Sequence, residues 1–311
     1  MKFGLTTLFI AVLLVATIAH DHPMVGLMSY PGSPSARTAN SYIQGESAKF
    51  IESSGARNVV IPYDQEWITS EDVLKNLNGI FIQNSFNGEM SNDEILLINL
   101  QNAYDYTVEQ NENGEVFPLW TSGVTGLQLL EVIQPSNGAS DFAVPIDALD
   151  YAATLKVIEF KTPNDKVSVT SNIRDAFMKP LSTEEIVYFN QDRGITVESF
   201  NSNDFLSSTF EIVATSKDRQ GVEFIAIMKN KAAPVVISFV LFEAVYNFFP
   251  ETNVPHTSNA ARTSVQFSKA FTDFCRVNDR TLGSVEAEYK NNLFNNKMTT
   301  VAHREYQTFY F

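Results

Sequence analysis

The chain has 311 residues, of which 44% are hydrophobic, and a formal net charge of −14 at pH 7. This length suffices for one large domain, and no segment has the composition of a linker between two cores. The acidic balance and the lack of a Lys/Arg run argue against binding to nucleic acid or to an anionic membrane, since such binding needs basic side chains that release counterions.

The N-terminus has the pattern of a secretory signal peptide. Lys2 precedes an apolar run over residues 8–18, and the small residue Ala19 comes before the polar His20. A basic start, an apolar centre and a small residue at the cleavage point are typical of such signals. We expect removal of residues 1–19, leaving residues 20–311 as a single domain in the secretory pathway, either extracellular or in a lysosomal or vacuolar lumen. An uncleaved anchor is the alternative, although a transmembrane helix needs about 20 apolar residues.

Strand and helix patterns alternate through the first half of the chain. Buried strands are predicted over residues 24–28, 59–62 and 79–83 and around Trp120. Helices are predicted over residues 40–53, 70–77 with Ser70 as its cap, and 91–106. Strands that alternate with helices of this length imply crossover connections. The sequence therefore predicts a mainly parallel sheet covered by helices on both faces, a three-layer α/β sandwich.

The second half of the chain changes character. Segments rich in Val, Ile and Phe follow at shorter spacing and suit an antiparallel extension of the sheet, over residues 185–190, 210–215, 222–228 and 235–241. Residues 265–275 then show an apolar stripe at helical spacing that ends at Cys275. As the single cysteine of the chain, Cys275 has no intramolecular partner, and we expect it to be inert packing.

Residues 117–127 read as a buried strand that breaks sharply into a helix, with small residues around the break. This is the pattern of a nucleophile elbow, where the tight turn brings the backbone close to the side chain of a Ser or Cys. The apex position here carries Gly123, which has no side chain.

The elbow segment resembles that of the gamma-glutamyl hydrolases, of the class I glutamine amidotransferase-like superfamily, where the run reads Pro-aliphatic-Trp-Gly-Thr-Cys-Leu-Gly. An ungapped alignment places the nucleophilic Cys of that family on Gly123. Further segments resemble the family in order and spacing over residues 24–311, and these are residues 42–57, 78–82, 256–260 and 306–311. The resemblance implies a class I glutamine amidotransferase-like fold.

The resemblance also implies which residues the chemistry requires. Amide hydrolysis by this route needs a thiolate, a His that relays the proton and backbone N–H groups for the oxyanion. The His-Pro-Glu of the family falls on residues 241–243, so Leu241 replaces the His and Phe242 the Pro. Glu243 alone is retained, without a base to orient.

The oxyanion loop of the family reads Pro-Gly-Gly and falls on Gln83, Asn84 and Ser85. Side chains at all three positions disfavour the same close approach of the backbone. The paired acidic residues that follow the elbow in the family fall on Leu127 and Gln128. The resemblance therefore implies that every part of the catalytic site is altered.

No substitute group is evident in the sequence. Ser122 adjoins the apex, but successive residues at a strand end point in different directions, so its hydroxyl should not take the place of the thiol. Thr121 and Thr125 have the same problem. No His has the spacing of a base for this elbow, and paired ligands for a metal are absent apart from those beside the cleavage point; the four histidines are His20, His22, His256 and His303.

Two functional interpretations remain open. The first is a catalytically inactive gamma-glutamyl hydrolase-like protein that serves as a binding or structural subunit, with the former cleft either filled by Leu241 and Phe242 or adapted to a ligand. The second is a hydrolase that acts on gamma-glutamyl or folate polyglutamate substrates through a rearranged site. We expect no cofactor and no metal. The expected partners are proteins or further copies of the chain, with no nucleic acid and no transmembrane segment after signal removal.

Overall fold

A mixed β-sheet forms the centre of the computed structural model, which describes residues 22–32, 40–86, 88–134, 142–158, 175–246, 253–295, 298–301 and 306–311. The predicted signal segment, residues 1–19, lies outside the described residues. Among the described residues, no helix is long and apolar enough to cross a membrane.

The strands, in chain order, are β1 (Met24–Met28), β2 (Tyr30–Pro31), β3 (Ser41–Gln44), β4 (Arg57–Ile61), β5 (Gly79–Ile82), β6 (Leu119–Ser122), β7 (Val144–Ala153), β8 (Lys156–Val157), β9 (Val187–Gly194), β10 (Phe210–Lys217), β11 (Glu223–Asn230), β12 (Val235–Ser238), β13 (Met298–Val301) and β14 (Tyr306–Tyr310). The helices are α1 (Gly45–Glu52), α2 (Trp67–Leu74), α3 (Glu94–Glu112), α4 (Thr125–Ile133), α5 (Asp175–Thr183), α6 (Val197–Ser202), α7 (Asp204–Thr209), α8 (Ser258–Cys275) and α9 (Val285–Asn291). Two 3₁₀ segments cover Phe242–Tyr246 and Leu293–Asn295.

The central sheet has the strand order β4-β1-β5-β6-β12-β11-β10-β8. Neighbours from β4 to β12 pair in parallel, whereas β11, β10 and β8 continue the sheet by antiparallel pairing. The predicted parallel sheet with an antiparallel extension is confirmed. The parallel part has apolar side chains on both faces, as expected for strands that helices cover on both sides.

Helices lie on both faces of the sheet, as the alternation of side chains along β6 shows. Trp120 points to α8, where its ring centroid lies 5.8 Å from that of Phe271. Thr121 points the other way, toward α4, because a Cβ added at Gly126 would lie 3.1 Å from its Oγ1. Helix α1 contacts α8 on the first face, and α3 contacts α4 on the second. The molecule therefore has the three layers that the sequence predicted.

Two smaller sheets contain segments that the sequence predicted differently. Residues 41–44 are strand β3, which lies between β14 and β2, so the helix predicted over residues 40–53 begins only at Gly45. Pairing with strands distant in sequence overrides the local helical spacing of Tyr42 and Ile43. The strand predicted over residues 185–190 pairs with β7 in a separate sheet and does not extend the central one.

Two helix starts also differ from the prediction. Helix α2 begins at Trp67, so Ser70 lies within it and does not cap it. Helix α3 begins at Glu94, where the side chain of Asp93 accepts hydrogen bonds from the N–H groups of Ile95 and Leu96. The Asp93 cap satisfies two of the backbone donors that a helix start leaves free.

Phe271 provides a test of the packing between the central sheet and α8. Its ring is fully buried and contacts Trp120 and Phe81, with ring centroids 5.8 and 6.0 Å away. We expect Phe271→Ala to lower the free energy of unfolding by about 3–5 kcal/mol, since the lost contacts leave a cavity. Urea unfolding measures this change. The control Val277→Ala, at an exposed position, should shift stability by less than about 0.5 kcal/mol, and equal losses in both variants would contradict the packing.

Candidate functional site

Three neighbouring parallel strands end at the same edge of the central sheet. In their register Ile82 of β5 lies beside Thr121 of β6, and Ser122 of β6 lies beside Ser238 of β12. The residues that follow these strands therefore come together, and they include the altered positions Gln83, Asn84, Ser85, Gly123 and Leu241 and the retained Glu243. The structure thus places all six positions in one region.

The backbone of the elbow is intact. Gly123 has a φ of +62°, in the left-handed region that favours glycine. Its N–H donates a 2.8 Å hydrogen bond to the Ser238 carbonyl, and its own carbonyl accepts a 3.0 Å hydrogen bond from the N–H of Gly126. The hydroxyl of Thr125 donates to the Ser122 carbonyl at 2.7 Å. The strand thus passes directly into α4 through a turn that fits a nucleophile elbow without a nucleophile.

Two side chains fill the space in front of the apex. A Cβ placed on Gly123 would lie 2.5 Å from the side-chain Cγ of Asn84 and 2.8 Å from Cδ2 of Leu241, both closer than real Cβ contacts. The N–H of Val124, the residue after the apex, donates a 2.9 Å hydrogen bond to Asn84 Oδ1. The space in front of the apex is therefore occupied by Asn84 and Leu241, at the positions where the resemblance placed the oxyanion loop and the His of the family.

The segment that carries Asn84 is fixed by buried amide groups. The side chain of Gln83 accepts a hydrogen bond from the N–H of Gln44 and donates one to the Tyr42 carbonyl, both at 2.8 Å. The side chain of Gln44 donates in turn to the Asn84 carbonyl at 2.8 Å, and the Tyr42 hydroxyl accepts from the N–H of Phe86. Gln83 and Gln44 are buried. This contact was not predicted, because residues 42–44 were expected in a helix, although Gln44 and Gln83 beside apolar segments were a visible signal.

Glu243 has a new partner in place of the missing His. The hydroxyl of Ser122 donates a hydrogen bond to Glu243 Oε1. Burial raises the pKa of Glu243 to about 7, and the hydrogen bond from Ser122 opposes that rise only in part. Burial, and to a smaller extent the charge of the nearby Glu243, raises the pKa of Glu46 on α1 well above its usual range. The site therefore favours neutral carboxyl groups.

The hydroxyl of Ser122 is unsuited to act as a nucleophile. Only 1% of Ser122 and 3% of Glu243 is exposed, so a substrate in solution does not reach the pair. We expected the Ser122 hydroxyl not to take the place of the thiol, and in the structure it donates to Glu243. The pairing itself was not foreseen, since it joins residues 121 positions apart in the chain.

Leu241 and Phe242 have different environments. Leu241 packs in a small cluster with Tyr188, Ala244 and Val254 and also reaches the elbow apex. Phe242 stacks on Phe267 of α8, with ring centroids 3.8 Å apart, and belongs to the main core. Leu241 and Asn84 thus fill the space at the elbow apex, whereas Phe242, which we expected to share that role, contributes to the core.

The positions of the family's paired acidic residues have structural contacts here. Gln128 accepts a 2.9 Å hydrogen bond from the Tyr30 hydroxyl and donates one of 2.8 Å to the Ser91 carbonyl. Leu127 is buried and lines a groove of about 420 Å³ beside α4. The groove reaches Val124 but not Gly123 or Asn84, and its lining is Gly88, Glu89, Met90, Asn92, Val124, Leu127, Leu149, Asp192 and Arg193.

The described histidines do not reach the elbow. His256 is exposed, and its ring contacts the Val245 carbonyl at 3.1 Å, just before the Thr257 cap of α8. His22 is exposed at the start of the described chain, and His20 and His303 lie outside the described residues. Within the described part of the chain, no group of three or more His, Cys, Asp or Glu side chains is arranged to hold a metal ion.

Cys275 is buried at the end of α8. Burial raises the pKa of its thiol well above the usual range, so the reactive thiolate is not formed near neutral pH. The expectation that this residue is inert packing is confirmed.

Proteins named gamma-glutamyl hydrolase are similar to the chain over most of its length. Gamma-glutamyl hydrolase B of Dictyostelium discoideum is 25% identical over 302 residues, which cover 94% of this chain and 84% of that protein. The gamma-glutamyl hydrolase of Glycine max is 26% identical over 267 residues, with 83% and 75% covered. The Homo sapiens protein is 22% identical over 255 residues, with 80% and 76% covered. The chain is a homologue of the gamma-glutamyl hydrolases.

No family model matches the chain. Among solved structures, a Thermoplasma acidophilum protein described as part of a GMP synthase is 11% identical, covers 81% of this chain and 94% of its own, and has a TM-score of 0.44. The strand order and the helices on both faces agree with the class I glutamine amidotransferase-like fold that the gamma-glutamyl hydrolase resemblance implied.

The raised pKa of Glu243 makes stability depend on pH. Its neutral form stabilises the fold fully below the ordinary glutamate pKa of 4.5, and this contribution is lost as the pH rises through about 7. The shift corresponds to about 3 kcal/mol. We expect Glu243→Gln, which keeps an acceptor for Ser122, to reduce the decline in stability between pH 5 and pH 8. Urea unfolding at both pH values measures the difference.

The control for this prediction is Glu112→Gln, at an exposed position at the end of α3. It should follow the pH dependence of the unmodified protein. Parallel stability curves for Glu243→Gln and the unmodified protein would contradict a raised pKa at Glu243.

Proposed function

We propose that the chain is a catalytically inactive homologue of the gamma-glutamyl hydrolases that serves as a binding or structural subunit in the secretory pathway. The observation that carries the proposal is the filled apex. Gly123 provides no nucleophile, and Asn84 and Leu241 take the space in which one would act. Amide hydrolysis through a covalent intermediate needs a nucleophile, a base within hydrogen-bond reach and free oxyanion donors.

The environment of the retained acid supports the same proposal. In a catalytic triad the carboxylate is ionised and orients a His. Here Glu243 accepts a hydrogen bond from Ser122, and its burial favours the neutral form. A carboxyl group in this state stabilises the packing between β6 and the segment after β12, which is a structural role.

The alternative is an active hydrolase with a rearranged site, and one observation favours it. Ser122 and Glu243 form a hydroxyl–carboxyl pair directly before the apex. Their burial and the lack of a base with access to substrate weigh against this alternative. The two proposals differ in one measurable property, which is the effect of Ser122→Ala on turnover.

The partner that we propose is a protein, either another copy of the chain or a different polypeptide. Exposed apolar side chains support this proposal, since they are suited to contacts between proteins. On α9, 81% of Val285 and 72% of Tyr289 is exposed, and these residues lie one turn apart. Light scattering of the purified protein separates self-association from a monomer, and a pull-down from native material identifies other partners.

We expect the purified protein to release no glutamate from a folate polyglutamate, because the nucleophile and the base are both missing. Loss of a triad member costs several powers of ten in rate. Chromatography of the products measures the release, with the Glycine max relative assayed in parallel to show that the substrate is competent.

Turnover that survives repurification would overturn the proposal. In that event Ser122→Ala distinguishes the alternatives, since it abolishes turnover by a rearranged site built on the Ser122–Glu243 pair. An undiminished rate in Ser122→Ala would show that other residues carry the reaction.

A further inference from the structure

We propose that the side-chain amide of Asn84 is an internal ligand of the elbow, with its Oδ1 in the position where an active enzyme of this architecture binds the substrate carbonyl oxygen. The inference rests on the proposed function, since a permanent internal ligand is compatible only with a site that does not turn over. It adds one point to the proposed function. The N–H group that would bind an oxyanion is still present, and a side chain of the same chain accepts its hydrogen bond.

The donor is the N–H of Val124. In nucleophile elbows the residue after the nucleophile supplies one of the oxyanion donors. The N–H of Val124 lies 2.9 Å from Asn84 Oδ1, within the range of about 2.7–3.1 Å that an oxyanion donor requires. An N–H group needs an acceptor, so the oxygen of the Asn84 amide, and not its NH₂ group, faces Val124.

The internal ligand is held in place by its surroundings. Only 5% of Asn84 and 3% of Val124 is exposed, so outward rotation of the amide leaves a buried N–H without an acceptor. The backbone carbonyl of Asn84 accepts a hydrogen bond from Gln44, and the preceding residue, Gln83, accepts one from the N–H of Gln44 in β3. Asn84 is thus fixed from the loop side by β3 and from the elbow side by Val124.

Asn84 and a side chain at the apex exclude each other. The Cγ of Asn84 lies 2.5 Å from the place of a Cβ on Gly123, which no real pair of such atoms allows. Leu241 approaches the same place with Cδ2, the end of its side chain, at 2.8 Å. The effects of substitutions at positions 84 and 123 are therefore expected to depend on each other.

A double-mutant cycle tests this dependence, with the unmodified protein, Gly123→Cys, Asn84→Gly and the double variant. We expect Gly123→Cys to lower the urea midpoint and Asn84→Gly to recover part of that loss. The thiol at position 123 should react with a maleimide at least ten times faster in the double variant than in Gly123→Cys. The unmodified protein gives the background, since Cys275 is buried in the native state.

Gly126→Ala is the matched control for the cycle. Its added Cβ meets Ile237, Phe239 and Thr121 within 3.1 Å and not Asn84. Asn84→Gly should therefore recover none of the loss in urea midpoint that Gly126→Ala causes. Additive changes in the urea midpoint in the Gly123→Cys cycle, together with equal maleimide rates in Gly123→Cys and the double variant, would overturn the proposal.

Hydrogen exchange gives a second measurement that does not require Gly123→Cys to fold. Loss of the acceptor in Asn84→Gly should speed exchange of the Val124 N–H at least ten-fold, whereas Ser85→Gly, which loosens the same loop, should leave that rate unchanged. An unaltered Val124 rate in Asn84→Gly would overturn the internal-ligand role even if the protein proves inactive. Hydrolysis by the unmodified protein would instead overturn the proposed function, whatever the exchange rates.

Discussion

The parallel register of β5, β6 and β12 is the constraint on which the site depends. Hydrogen bonds between the strands set Ile82 beside Thr121 and Ser122 beside Ser238, so the three strands end at one level. Helices cover both faces of these strands, and a shift by one residue would turn every buried side chain to the opposite face. The chain therefore has no freedom to separate the loop at Asn84 from the elbow at Gly123. The register brings position 84 close to the elbow, and the orientation of the Asn84 side chain completes the contact.

Much of this architecture was predictable because it depends on local pattern. The apolar runs over residues 24–28 and 79–82 gave central strands, and the small residues around Gly123 gave the strand-to-helix break. The helix predicted at residues 41–44 was wrong because Tyr42 and Ile43 fit a helical spacing as well as a strand. Only the pairing with β14 and β2 decides between the two. A short apolar segment does not carry that long-range information.

The side-chain contacts within the site could not be predicted from the sequence. The resemblance to a family placed Gly123, Leu241 and Asn84 at positions of known chemistry, but it did not predict which atoms would meet. The bond from Val124 to Asn84 and the bond from Ser122 to Glu243 both depend on side-chain orientation across 40 and 121 positions of chain. Glu243 illustrates the difference. Its identity matches the Glu of the family motif, whereas its hydrogen bond to the buried Ser122 hydroxyl could not be derived from that identity.

The crowding between Asn84 and the apex also bears on the order in which such a site can change over time. A chain with a side chain at position 123 has no room for the Asn84 amide in its present place, so loss of the apex side chain comes before this amide or together with it. Once the amide is seated, a reversal at position 123 alone is opposed by a clash, and a reversal at position 84 alone leaves the Val124 N–H unpaired. Each single substitution in reverse is therefore expected to lower stability. The pair of residues thus opposes reversal by one substitution at a time.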